Sequence, residues 1–361
     1  MENQKGVILL LLFDILVNQT FADNPVWGVQ DIPELPENES KPNNIYNYGY
    51  PICQPQSTPP TPESGCCGVD MAAADMLTDL EEFLQYTSPT RTKRDVDFEE
   101  LGVTFDDRIA GGQETDLDQY PWTAYLSIEF VNGDETKVFG CGGSLISSRI
   151  VVTAAHCMVN EDDQLNSVSV TLAEYDKRTF PRDCVMGSDR KQICIDNLEI
   201  GVEGVVIHPD FVEEFLINDI ALVRLRESAP YSRSVRPICL PSINIDNPQF
   251  ADLPLATAGW GLNVSVQSDV KQFTTIHMVP KSKCRTHYVR LTGGHICASG
   301  KRTQDTCQGD SGGPLMMLHK GTYYLVGIVS GKTSAYNCGT PVPSLYTNVY
   351  TYLDWIRYFM T

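Results

Sequence analysis

Beyond residue 108 the chain is punctuated by short apolar runs set between Gly, Pro, Asn and Asp: TAYLSIEF, GSLISSRIVVTAAH, SVSVTLA, GVVIHP, ALVRL, ATAGWG, YYLVGIVSG and SLYTNV. Val, Ile, Thr and Tyr dominate them, and such residues fit a pleated, half-buried surface. Many short strands without intervening helical periods predict an all-β sandwich or barrel. The end of the chain reads differently. Val349, Leu353, Ile356 and Met360 are spaced like one face of a helix, so the pattern predicts a C-terminal helix.

Upstream of residue 108 the texture changes. Residues 23–65 are rich in Pro, Asn and Glu and poor in aliphatics. They cannot offset the cost of ordering by burial, so they read as irregular or held by disulfides. Within 71–86, Met76, Leu80, Phe83 and Leu84 fall at helical spacing, which marks a short amphipathic helix, either docked or transient in a linker. Arg91-Thr92-Lys93-Arg94 is a basic cluster in acidic surroundings and resembles a proprotein-convertase site. Residues 6–17 form an apolar run too short to span a bilayer and placed like the apolar part of a signal peptide, with cleavage expected after Ala22. No other run is long enough to span a membrane. The expected organisation is a signal peptide over 1–22, an acidic pro-segment over 23–108 and a β-rich domain over 109–361.

The whole chain has 361 residues, 42% of them hydrophobic, enough to bury a large core. Its net charge is −19, with most of the excess in the first 108 residues. That balance argues against nucleic acid, whose phosphates need a basic face. Twelve cysteines indicate an oxidising compartment, and with the apolar leader they imply secretion. Asn38 and Asn263 stand in glycosylation sequons.

Three segments carry chemistry: Thr153-Ala154-Ala155-His156-Cys157, Asn218-Asp219-Ile220-Ala221-Leu222 and Gly309-Asp310-Ser311-Gly312-Gly313-Pro314. A serine hydroxyl needs a base to become a nucleophile, and a histidine titrates in the right range to take its proton and return it. A carboxylate is needed to fix the imidazole tautomer and stabilise its charged form. Together with Arg108-Ile109-Ala110-Gly111-Gly112, Tyr120-Pro121-Trp122, Gly259-Trp260-Gly261 and Tyr346-Thr347-Asn348-Val349, these segments resemble the trypsin/chymotrypsin family of serine endopeptidases over about residues 109–361. The resemblance implies two packed six-stranded antiparallel β-barrels with the site between them. It implies His156, Asp219 and Ser311 as the catalytic triad, and the N–H groups of Gly309 and Ser311 as the oxyanion hole.

The same resemblance assigns further roles. Asp305 takes the base of a pocket for Arg or Lys. Ser330, Lys332 and Ser344 belong to the substrate-binding walls. There Gly331-Lys332 replaces the usual aromatic-glycine pair, and Ser344 replaces a glycine and narrows the pocket. Cleavage after Arg108 would free the α-amino group of Ile109 to pair with Asp310, making the intact chain a zymogen. The implied disulfides are Cys141–Cys157, Cys284–Cys297 and Cys307–Cys338, with Cys184–Cys194 across a polar insertion as in arthropod clip-domain serine proteases. Cys239 is left to tether the pro-segment through Cys67, with Cys66 as the alternative. A full clip module has six cysteines before the linker; this chain has Cys53, Cys66 and Cys67, so the module is incomplete. No metal or cofactor is expected, although Glu174-Tyr175-Asp176 opens the loop that binds calcium in some members. The expected partners are protein substrates, an upstream activating trypsin-like protease and serpin-type inhibitors, around a monomer. A role in an extracellular cascade of melanisation or Toll-type signalling leads. A digestive or venom protease, and a non-catalytic homologue acting as a binding cofactor, are the alternatives.

Overall fold

Alternation sets the strands. In the computed structural model, which describes residues 46–47, 50–70, 113–187, 190–263, 266–300, 310–332 and 342–360, a two-residue strand β1 (Gln113–Glu114) leads into β2 (Thr123–Asn132). Along β2, Leu126, Ile128 and Phe130 are buried, while Tyr125, Ser127 and Glu129 between them are half-buried. This is the period of two expected when one face meets a core. β3 (Glu135–Leu145), β4 (Ile150–Thr153), β5 (Gln164–Leu172), a hairpin of β6 (Arg182–Met186) and β7 (Gln192–Asp196), then β8 (Leu198–Ile207) and β9 (Ala221–Leu225) follow. The strands β8-β9-β4-β3-β2-β5 close into an antiparallel barrel, with β8 pairing back onto β5.

The second barrel is built from β10 (Pro254–Gly259), β11 (Gln272–Val279), β12 (His295–Ser299), β13 (Pro314–His319), β14 (Thr322–Gly331) and β15 (Ser344–Asn348). Its order is β10-β13-β14-β15-β12-β11, closed by β10 against β11, and β1 adds beside β11. Closure removes the exposed edges that an open sheet would leave. The chain ends in a short 3₁₀ turn and helix α1 (Leu353–Met360). Val349, Leu353, Ile356 and Met360 are all buried in the cluster that contains the first barrel's core, so the predicted helical face is the packed one. Among the described residues, no helix is long and apolar enough to cross a membrane.

The polar insertion of the sequence reading is an ordered hairpin. β6 and β7 pair with Cys184 opposite Cys194, and a disulfide joins those two cysteines. Disulfides also join Cys141 to Cys157, Cys284 to Cys297, Cys53 to Cys66, and Cys67 to Cys239. Cys67, rather than its neighbour, is therefore the cysteine that holds the N-terminal segment to the barrels. Cys307 and Cys338, the signal peptide, Asn38, the 71–86 pattern, the basic cluster at 91–94, Arg108 and Ile109 all lie outside the described residues. Asn263 falls in a two-residue strand of a small hairpin.

Candidate active site

Strand β4 is buried along its length and delivers His156 into a 3₁₀ turn, Ala155–Met158. The Cys141–Cys157 bond ties that turn to β3. Asp219, fully buried, stands just before β9, which pairs with β4 through Ala221 opposite Thr153. Sheet pairing thus sets His156 and Asp219 side by side. The His156 backbone N–H donates to Asp219 Oδ1 at 2.9 Å, and the ring Nδ1 meets Asp219 Oδ2 at 2.8 Å. A carboxylate only accepts, so Nδ1 carries the proton and Nε2 keeps its lone pair.

The second barrel holds the other side of Asp219. The Ser330 hydroxyl donates to Asp219 Oδ2 at 2.5 Å, and the Thr347 hydroxyl donates to the Asp219 carbonyl at 2.6 Å. Tyr352 donates its hydroxyl to Asn218 Oδ1 at 2.8 Å, where Asn218 sits at φ 56°. His295 Nε2 reaches the carbonyl of Leu216, at φ 51°, over 2.8 Å. Its Nδ1 accepts the N–H of Thr292 at 3.1 Å, which places the proton on Nε2. Two residues in a conformation that side chains rarely adopt are therefore pinned, Asn218 by the C-terminal turn and Leu216 by a strand of the second barrel. Burial lowers the His156 pKa. The charge and hydrogen bond of Asp219, with the charge of Glu213, more than offset that, so the net position is above the ordinary histidine value.

Ser311 approaches from the second barrel. Its carbonyl accepts the N–H of Gly142 on β3 at 2.7 Å. Gly312, at φ 80°, has no room for a side chain: a Cβ there would run into the Thr153 hydroxyl and the Gly142 carbonyl. The hydroxyl of Thr153 itself donates to the Gly142 carbonyl at 2.8 Å. The turn that carries Ser311 is thus pressed onto the two strands that lead to His156, a contact that only glycine permits. Asp310 beside it is buried, and its Oδ1 accepts the Gly261 N–H at 2.9 Å. A Cβ on Gly259 would stand 2.5 Å from the same oxygen.

Among the expected walls, Ser344 is buried on β15 opposite Ala298 of β12, and Lys332 is half-buried after Gly331. Gly331 takes φ 144°, a region that favours glycine. Ser330, also expected on that wall, turns its hydroxyl inward to Asp219. The sequence signal for that contact, a serine at the end of a buried strand, is too common to single out. Asp305 and Gly309 lie outside the described residues. In the loop opened by Glu174-Tyr175-Asp176 the carboxylates are engaged by neighbours within the chain. Asp176 is paired with Arg178 at 2.6 Å, and Asp183 Oδ2 accepts the N–H groups of Tyr175 and Asp176 and the amide of Asn197. Burial, then the Asp183 charge, pushes the Glu174 carboxyl up to about 7. Among the described residues no cluster of three His, Cys, Asp or Glu side chains is arranged to hold a metal.

A family profile described as Trypsin matches residues 109–356. A CLIP domain-containing serine protease B9 of Anopheles gambiae is 38% identical over 267 residues, covering 72% of this chain and 64% of that protein. A phenoloxidase-activating enzyme of Bombyx mori is 35% identical over 84% of this chain and 66% of its own length. The match therefore spans just under two thirds of these relatives. A Spaetzle-processing enzyme of Drosophila melanogaster is 38% identical over 71% of the chain and 67% of its own length. Among solved structures, the Drosophila Grass clip serine protease of the Toll pathway is similar with a TM-score of 0.58 and 30% identity, covering 72% of this chain and 75% of that one.

Proposed function

The chain belongs to the trypsin family of serine endopeptidases, and from that premise we propose that it is the secreted zymogen of an enzyme cutting after Arg or Lys, activated by cleavage after Arg108. The observation that carries the catalytic part is the double hydrogen bond from His156 to Asp219, with the Ser311 turn pressed against the same strands. In the proposed reaction the Ser311 hydroxyl attacks the scissile carbonyl and His156 Nε2 takes its proton. Asp219 stabilises the imidazolium, and the N–H groups of Gly309 and Ser311 receive the oxyanion. His156 then gives its proton to the leaving amine, and water repeats the cycle on the acyl-enzyme. The presence of Ser311 together with His156 and Asp219 favours catalysis over a binding homologue, which would have lost the serine.

Specificity for Arg or Lys rests on Asp305, and activation rests on Ile109 meeting Asp310. The burial of Asp310 supports the latter, because a buried carboxylate is stable only with charged or hydrogen-bonded partners. The names of the relatives, a phenoloxidase-activating enzyme and a Spaetzle-processing enzyme, support a place in an extracellular proteolytic cascade. There the chain would act as a monomer on protein substrates, under an upstream protease and serpin-type inhibitors. The test is Arg108→Gln. After brief exposure to trypsin the natural chain should split and hydrolyse arginyl peptide substrates, while Arg108→Gln stays whole and inactive. Full activity of the uncut variant would overturn the zymogen reading, and preference for Phe or Leu over Arg would remove Asp305 from the pocket.

A further inference from the structure

One peptide group in the molecule is held at both ends by opposite charges. Asp70, at the end of the docked stretch 50–70, is buried, and its Oδ2 accepts the N–H of Tyr120 at 3.5 Å. Lys271, also buried, donates from Nζ to the carbonyl of Gln119 at 2.8 Å. The Gln119 carbonyl and the Tyr120 N–H belong to the same peptide bond. Its dipole therefore lies with the carboxylate at the positive end and the ammonium at the negative end, the favourable sense at both. Tyr120 needs such support. It sits at φ 53°, where a side chain crowds its own backbone. Its ring is packed among Trp122, Phe273 and Tyr323.

The approach of Asp70 is built into the residues before it. Gly68 donates its N–H to the Pro237 carbonyl at 2.9 Å, and its own carbonyl accepts from Tyr323 N–H at 2.8 Å. A Cβ on Gly68 would run into the Tyr323 carbonyl and stand 3.0 Å from Cys239 Sγ. At the other end of the segment, the Gln56 carbonyl accepts the Ser148 N–H at 2.8 Å, reaching the first barrel. Lys271 is tied to the same region by its backbone, since its carbonyl accepts the Thr115 N–H at 3.0 Å. Burial pushes its ammonium down to about 8, against the pull of Asp70, Asp118, Glu174 and Asp183, which leaves it largely charged at neutral pH.

We propose that the N-terminal segment is a working part of the mature enzyme: Asp70 and Lys271 clamp the Gln119–Tyr120 peptide and so position residues 113–122, the stretch that joins the new N-terminus to the first barrel. Neither residue touches the reacting atoms; both are positioning residues. The inference rests on the zymogen reading for its effect on activity, and on geometry alone for its effect on the backbone. Losing the charge of Asp70 leaves Lys271 buried without that counter-charge, so the Tyr120 turn should open more often and Ile109 should stay seated less often.

The experiment uses the full chain, cleaved after Arg108 and still joined through Cys67 and Cys239. Asp70→Asn keeps shape and an acceptor but removes charge. Deuterium uptake over residues 116–123 should be roughly three-fold faster than in the natural protein, the scale expected from one long hydrogen bond. Active-site titration should show a several-fold smaller active fraction, with kcat/KM per active site unchanged. Asp70→Glu should restore part of both. Unchanged uptake in Asp70→Asn would overturn the proposal. So would a loss confined to kcat/KM per site with the active fraction intact. If Asp70→Asn does not fold, Lys271→Met retains the volume and must give the same faster uptake, or the clamp is wrong. If even the natural cleaved protein hydrolyses nothing, the protease reading fails while the exchange measurement still decides this one.

Discussion

Asp219 and Asp70 are both buried carboxylates that accept a backbone N–H from a distant part of the chain, yet their partners differ. His156 leaves about 20% of its side chain exposed and commits only Nδ1 and its backbone to Asp219. Lys271 is closed off, with its ammonium committed to the Gln119 carbonyl and 3.5 Å from the Thr123 hydroxyl. A buried charge supports proton transfer where its partner keeps a face toward solvent or substrate. Where the partner is sealed, the same charge can only hold structure.

The strongest way to break this contrast is Asp219→Asn. It keeps the shape but removes the charge that offsets burial of His156. Turnover at neutral pH should fall by about 10⁴-fold, the scale this group shows elsewhere in the family. With His156 as the proposed base, the enzyme needs it neutral, and its pKa is raised. Its activity should therefore drop as pH falls through a value above about 6.5, and in Asp219→Asn that acid limb should move down. A pH–rate profile whose limb stays in place would deny Asp219 its electrostatic role. Ser330→Ala is milder. It removes one of three donors on the carboxylate and should cost about ten-fold in kcat/KM without shifting preference among Arg and Leu substrates. A change in preference would mean that this hydroxyl also shapes the substrate wall.

The smallest effect belongs to the sealed region. Glu174 is protonated more readily in the folded chain, at about 7 against an ordinary 4.5. The folded state then binds the extra proton, so this group's contribution to stability is fully present below 4.5 and declines as pH rises through 7. Glu174→Gln should raise Tm by about 2–4 °C at pH 8 and leave it unchanged at pH 4. An equal gain at both pH values would point to packing instead of charge.

Much of this was legible in the residues. Alternation in Thr123–Asn132 marks its core face, and the spacing of Val349, Leu353, Ile356 and Met360 marks the packed side of the last helix. His156 and Asp219 are legible because their neighbours are as distinctive as they are. Asp70 and Lys271 are not, since an acid two residues beyond a Cys-Gly pair and a lysine before a strand look like surface residues until the fold joins them. Nor does Tyr120 announce a positive φ, for nothing in its type favours one. The Cys184–Cys194 insertion reads as polar, but its hairpin alternation is carried by only a few residues on each strand. The bond from Ser330 to Asp219 is not legible either, because a strand's end names a location without saying which way the hydroxyl turns.

The bond between Cys67 and Cys239 closes a ring across a separation of 172 residues, and Arg108 lies inside it. A cut there opens the ring while the two pieces stay attached, so the particle keeps its composition and changes its topology. A closed loop of this order restricts the unfolded chain by about 5 kcal/mol in the chain-entropy picture. Cutting gives that freedom back to the unfolded state, and the same fold must then withstand a larger disordered ensemble. If activation runs through that cut, as proposed, seating the new N-terminus must return at least as much, or the cleaved form melts below the intact chain.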